Sequence, residues 1–114
     1  MTSWLRQISD GLKPPITNLF RAYSASPVDC SGTITSAGEA QEMMAARADR
    51  SGFWVQNLGE ADLWINELGA ATQGQPSIKI AAGALYEAPA HGVSVGPVSI
   101  IGGTAGQAFS AREW

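Results

Sequence analysis

Apolar residues near the start of the chain fall at helical spacing. Trp4, Ile8 and Leu12 recur at four-residue steps, with Ser3 placed as an N-cap. Gly11 and Pro14-Pro15 end that stretch. Ile16, Leu19, Phe20 and Tyr23 then occupy positions i, i+3, i+4 and i+7, with Pro15 suited to a first helical turn. This predicts two short amphipathic pieces joined by a Pro-Pro hinge. Residues 24–27 read as a linker, so residues 1–27 form a short helical N-terminal arm. Short isolated helices are marginal in water and need a surface to lie on. That surface is either the arm's own domain or a neighbouring chain.

From Cys30 onward the apolar positions alternate and glycines punctuate them. Strands are expected at 33–34, 42–45, 53–58, 62–67, 77–81, 84–87, 92–95, 97–101 and 107–112. Breaks fall at Ala82-Gly83, 89–92 and 102–106. The clearest pair is 53–58 and 62–67 around Gly59-Glu60-Ala61, which reads as a β-hairpin. Pairing Leu58 with Asp62 puts Phe53, Val55, Leu63 and Ile65 on one core-like face. The other face carries Trp54, Gln56, Trp64 and Asn66, with the two tryptophans diagonal to each other. A one-residue slip would exchange the faces. No helical pattern separates the strands. The expected body, residues 28–114, is mostly β: an antiparallel β-sandwich or a jelly-roll-like barrel.

Composition fits that reading. The chain has 114 residues, 13 glycines and 6 prolines, enough for one core with many turns. Charged residues make up 15%, below the roughly 25% of an average soluble domain. One cysteine, Cys30, excludes an internal disulfide framework and a cysteine-rich zinc site. It reads as a buried small hydrophobe or, less simply, a reactive thiol. No apolar run approaches the ~18 residues of a membrane span. No charged start followed by an apolar stretch reads as a secretory signal. The expected setting is a cytoplasm, or a larger object assembled there.

The net charge of -3 is divided unevenly. Residues 1–27 hold Arg6, Lys13 and Arg21 against Asp10, a balance of +2, and the remainder holds four cations against nine anions, a balance of -5. An acidic body lacks the clustered Lys and Arg of a nucleic-acid surface. The arm's polar face has few cations, which disfavours a membrane-surface helix.

Candidate chemistry is thin. Gly102-Gly103-Thr104-Ala105-Gly106 is glycine-rich, but Gln107-Ala108 follows where a phosphate-binding loop needs Lys and then Ser or Thr. It reads as a turn between strands. His91, the single histidine, lies in Pro89-Ala90-His91-Gly92 and reads as a turn residue. Ser94 and Ser99 lie nearby without a nucleophile turn. Glu60, Asp62 and Glu67 surround the expected hairpin as a solvated acidic loop. They lack EF-hand spacing, and paired glycosidase carboxylates would need a sugar cleft between them. The expectation is therefore no catalytic residue, no cofactor and no metal. Trp4 and Trp114 sit toward the chain ends, where large aromatics serve as interface anchors or pack on the parent domain.

Residues 31–114 resemble a family of small tailed-bacteriophage virion structural proteins. The resemblance runs through Gly32-Thr33-Ile34, Ala46-Arg47, Phe53-Trp54-Val55-Gln56-Asn57 and Ala61-Asp62-Leu63-Trp64-Ile65-Asn66. It continues in Ser77-Ile78-Lys79-Ile80, Ala82-Gly83 and the run from Val98-Ser99-Ile100-Ile101 through Gly102-Gly103-Thr104-Ala105-Gly106-Gln107. It implies a β-sandwich with a place in the virion, most simply as a capsid cement or decoration protein bound to the assembled shell. A tail, neck or fibre-anchoring component is the alternative within that class. A carbohydrate-binding β-sandwich, with exposed Trp54 or Trp64 as a sugar platform, is the alternative of another class. The implied partners are the major capsid protein or tail and neck proteins, together with copies of the chain itself. Direct nucleic-acid and membrane contacts are not expected. The arm lies outside the resemblance. Trp4, Ile8, Leu12, Ile16, Leu19, Phe20 and Tyr23 are its expected partner-binding residues, with Trp4 and Phe20 the largest anchors. Trp54, Trp64 and Trp114 are the expected interface of the body.

Overall fold

The computed structural model describes residues 26–114. The expected arm helices, with Trp4, Ile8, Leu12, Ile16, Leu19, Phe20 and Tyr23, lie outside those residues. The described residues contain nine strands and no helix. These are β1 (Val28–Asp29), β2 (Gly32–Thr33), β3 (Gln41–Met44), β4 (Phe53–Asn57), β5 (Leu63–Asn66), β6 (Ile78–Ile80), β7 (Leu85–Glu87), β8 (Val98–Gly102) and β9 (Ala108–Glu113).

The strands form two antiparallel sheets. One has the order β1-β9-β4-β7, with β2 also paired to β9, and the other has the order β3-β8-β5-β6. β1 and β2 run along β9 in one register, Val28 opposite Glu113 and Thr33 opposite Ala108. Residues 30–31 stay attached between them: the Cys30 N–H donates to Ala111 O at 2.8 Å, and the Ala111 N–H donates to Ser31 Oγ at 3.0 Å. Apolar alternation faces the two sheets toward each other. Phe53, Val55, Phe109 and Ala111 of the first sheet share one buried cluster with Met44, Leu63, Ile65, Ile80, Val98 and Ile100 of the second. Ile34, leaving β2, drops into the same cluster. A Cβ on Gly102 would stand 2.8 Å from Leu63 Cδ2 and 3.0 Å from Ile34 Cγ1, so only glycine lets these side chains close over β8.

The expected hairpin between residues 53–58 and 62–67 does not form. β4 pairs with β9 and β7, whereas β5 pairs with β8 and β6 in the other sheet. The short connection is an arch that crosses the core. Its cause is polar and buried. Asn57, with 0% exposure, donates from Nδ2 to Ala61 O at 2.7 Å and Ile80 O at 2.9 Å. The Gly59 N–H donates to Asn57 Oδ1 at 2.9 Å. From β9's approach, Gln107 Nε2 donates to Asn57 Oδ1 at 3.0 Å and to Ala61 O at 2.6 Å. These bonds satisfy the arch where a hairpin ladder would otherwise run. The inward set Phe53, Val55, Leu63 and Ile65 is nevertheless buried as alternation predicted.

Residues 92–95, expected as a strand, are instead loop. The Arg47 N–H donates to Val95 O, and Arg50 Nη1 donates to Ser94 O and Gly96 O, so this backbone is held by loop and side-chain donors. Val28–Asp29 forms the strand that the sequence did not suggest. Of the expected break at 102–106, Gly102 is the last residue of β8 and residues 103–106 do turn, with Gly106 at φ +83° and its N–H donating to Ile34 O at 2.7 Å, and the chain continues as strand.

Candidate docking groove

The outer face of the first sheet carries a row set by register. Asp29, Arg112, Trp54 and Glu87 pair successively across β1, β9, β4 and β7. Directly paired residues point to one side, and their chain neighbours Ala111, Glu113, Phe53 and Val55 are buried on the other. The Arg112 guanidinium lies over the Trp54 ring, 5.5 Å from its centroid. On its far side is Asp29. The Ser31 hydroxyl and N–H hold that carboxyl below its usual range, helped by Arg112.

This row opens into a groove of about 1290 Å³. Trp114 forms one wall. Its N–H donates to Gly52 O at 3.0 Å, and its carbonyl accepts from the Gly52 N–H at 3.1 Å. A Cβ on Gly52 would stand 2.5 Å from the indole, so the ring rests directly on that glycine. Loop 88–93, including Pro89, His91 and Val93, lines it too, as does Pro27. Trp54 and Trp114 are both half-buried.

Arg50 fixes the loops behind this groove. Its side chain has no solvent exposure. It donates to Ser94 O at 2.7 Å, Gly96 O at 2.8 Å and Ala45 O at 2.7 Å, and pairs with Glu113 Oε2 at 3.3 Å. Arg47 adds a second contact to Glu113 at 3.6 Å and donates to Ser26 O at 3.3 Å. Two guanidiniums thus join the chain's first described residue, the loop at 94–96 and the end of β9.

The three body tryptophans do not form one face. Trp54 and Trp114 meet in the groove, but Trp64 lies on the outer side of the other sheet, paired with Lys79 and Ile101. The diagonal Trp54–Trp64 contact is therefore corrected, because the arch places those strands in different sheets. The arch also disperses the acidic residues. Asp62 pairs with Lys79 at 3.4 Å near one end of β5, while Glu67 follows the other end. Burial pushes the Glu67 carboxyl up, against a smaller opposing pull from Arg50. Burial also raises the Tyr86 hydroxyl, with the Glu67 charge adding to it. Cys30 packs against the core, and burial followed by the Glu113 charge raises its thiol pKa. His91 lines the groove on loop 88–93.

The sequence reading missed Arg50, Glu113, Asn57 and Gln107. Asn57-Leu58-Gly59 held a legible signal, since Asn commonly bonds the N–H two residues on. The others had none, because their partners, Ala45 excepted, are 44 to 66 residues away.

No protein-family model, curated protein or solved structure gives a significant match to the chain.

Proposed function

We propose that this chain is a structural protein of a tailed-phage particle, acting as a cement or decoration protein on the assembled shell, with its two sheets forming a β-sandwich. One observation carries the reading beyond the sequence resemblance. Ser26 is tied to Arg47, and Pro27 lines the groove that holds Trp54 and Trp114. The point where residues 1–25 join the body and the aromatic groove therefore lie together, giving a single pole for attachment. Trp is a favoured anchor at such contacts, and Trp4 is the arm's outermost large aromatic. A protein that binds only the assembled shell stabilises it by mass action.

A tail, neck or fibre-anchoring role uses the same pole and is the alternative in this class. The sugar-binding alternative has Trp54 in a groove with Glu87 and His91. Against it, Arg112 already covers one face of the Trp54 ring, the surface a sugar would stack on.

The test is co-sedimentation of the purified chain with assembled capsids of the encoding phage, alongside free capsid subunits and isolated tails. Saturable binding to capsids, with a higher capsid disruption temperature, is the expected result. Binding to tails alone moves the chain to the alternative. Binding to neither, with glycan binding lost in Trp54→Ala, replaces both by the sugar reading.

A further inference from the structure

We propose that the groove lined by Trp54, Trp114 and Pro89 is the seat of residues 16–23 of the same chain, leaving Trp4, Ile8 and Leu12 as the segment that reaches a partner. Three observations support a cis occupant. First, residues 16–23 lead directly into the groove: Pro27 is one of its lining residues, and Ser26 O is held by Arg47 at 3.3 Å. Second, Tyr23 precedes Pro27 by four residues, a reach of about 14 Å at roughly 3.3–3.6 Å per residue. Tyr23, Phe20, Leu19 and Ile16 are thus the first large apolar side chains available to the groove. Third, the groove's chemistry suits them. It offers two half-buried indoles, Val93 and two prolines, while its Arg112 charge is met by Asp29 and the Trp54 ring.

Effective concentration decides between an own arm and a neighbour's. A short linker supplies its ligand at roughly millimolar local concentration. A contact too weak to join two molecules is therefore still made within one. The Pro14-Pro15 hinge then separates the seated stripe from the outer one. This narrows the sequence expectation that both stripes meet a partner, and it gives the Trp4 segment a fixed point of departure. The contact requires only the chain itself, so it stands or falls independently of any role in a particle.

The experiment uses the full chain and the indole N–H signals of its four tryptophans, each assigned with a single Trp→Phe variant. Leu19→Asp with Phe20→Asp should shift the Trp54 and Trp114 signals and leave Trp64 in place. Trp64 keeping its position reports that the body is folded. The wild-type signals should not change on dilution, and the chain should sediment as a monomer under those conditions. Signals of Trp54 and Trp114 that ignore the double substitution would overturn the proposal. So would shifts that appear only at high concentration together with a dimer, which would assign the groove to a second copy's arm.

Discussion

Arg50 brings a full charge to a position without solvent exposure, and its worth lies in what it holds together. Its Nη atoms bond three backbone carbonyls and the Glu113 carboxylate. Removing one partner of a buried ion pair costs about 3–5 kcal/mol, because the remaining charge and polar groups stay buried. Arg50→Ala should lose stability on that scale, read from the urea midpoint, and should release the loop at 94–96. Arg47, 19% exposed, should matter less at the same read-out. Glu67 is a second case with the opposite sign. Burial raises its folded pKa above the unfolded value. The folded state therefore takes up this proton first as pH falls. The cost of the ionised carboxylate is present above the folded pKa and disappears below the unfolded one. Glu67→Gln should raise the urea midpoint at neutral pH, and the gain should vanish below about pH 4, under the ordinary Glu value.

The arch between β4 and β5 is the element on which the topology turns. Leu58 to Asp62 looks like a hairpin connection, yet its ends enter different sheets. Asn57 and Gln107 supply the bonds that make the crossing tolerable inside the molecule. Leaving a buried donor or acceptor unpaired costs about 1–3 kcal/mol per group. Asn57→Ala should therefore lower the urea midpoint by more than one such cost, since it removes the bonds Asn57 makes to Ile80 O and the Gly59 N–H, while Ala61 O keeps Gln107. Replacing residues 58–62 with a two-residue Asn-Gly turn is the sharper test. It favours β4–β5 pairing, which the two-sheet arrangement forbids. Circular dichroism and thermal melting should show loss of the cooperative transition. A normally melting product would mean that β4 and β5 can share a sheet after all.

At the scale of the whole molecule, the nine strands and the shared core of the described residues lie within residues 28–113. Residues 28–114 should therefore fold without the arm, giving a β-rich dichroism spectrum and a cooperative melt. A product without a melting transition would make residues 1–27 part of the core. Six of the eight connections between these strands cross from one sheet to the other, and β5–β6 is the one sequential pair that is also a sheet neighbour. Folding of this body depends on contacts distant in sequence, which slows it relative to hairpin-built proteins of equal size.

Alternation and glycine placement were sufficient to locate most strands and to choose the inward residues, because side-chain direction in a strand has a period of two and needs no partner to be defined. Phe53, Val55, Leu63 and Ile65 were chosen on that ground and are buried. Strand partners were decided only in three dimensions. Nothing local distinguishes a five-residue connection that turns back from one that crosses a core. The difference here lies in Gln107, 46 residues beyond Ala61 and 50 beyond Asn57. The groove was likewise invisible along the chain. Trp54 and Trp114 are 60 residues apart, and they meet because the β4–β9 register and the Gly52–Trp114 backbone pair bring those strand ends together. Trp64, ten residues from Trp54, is carried to the opposite outer face by the arch.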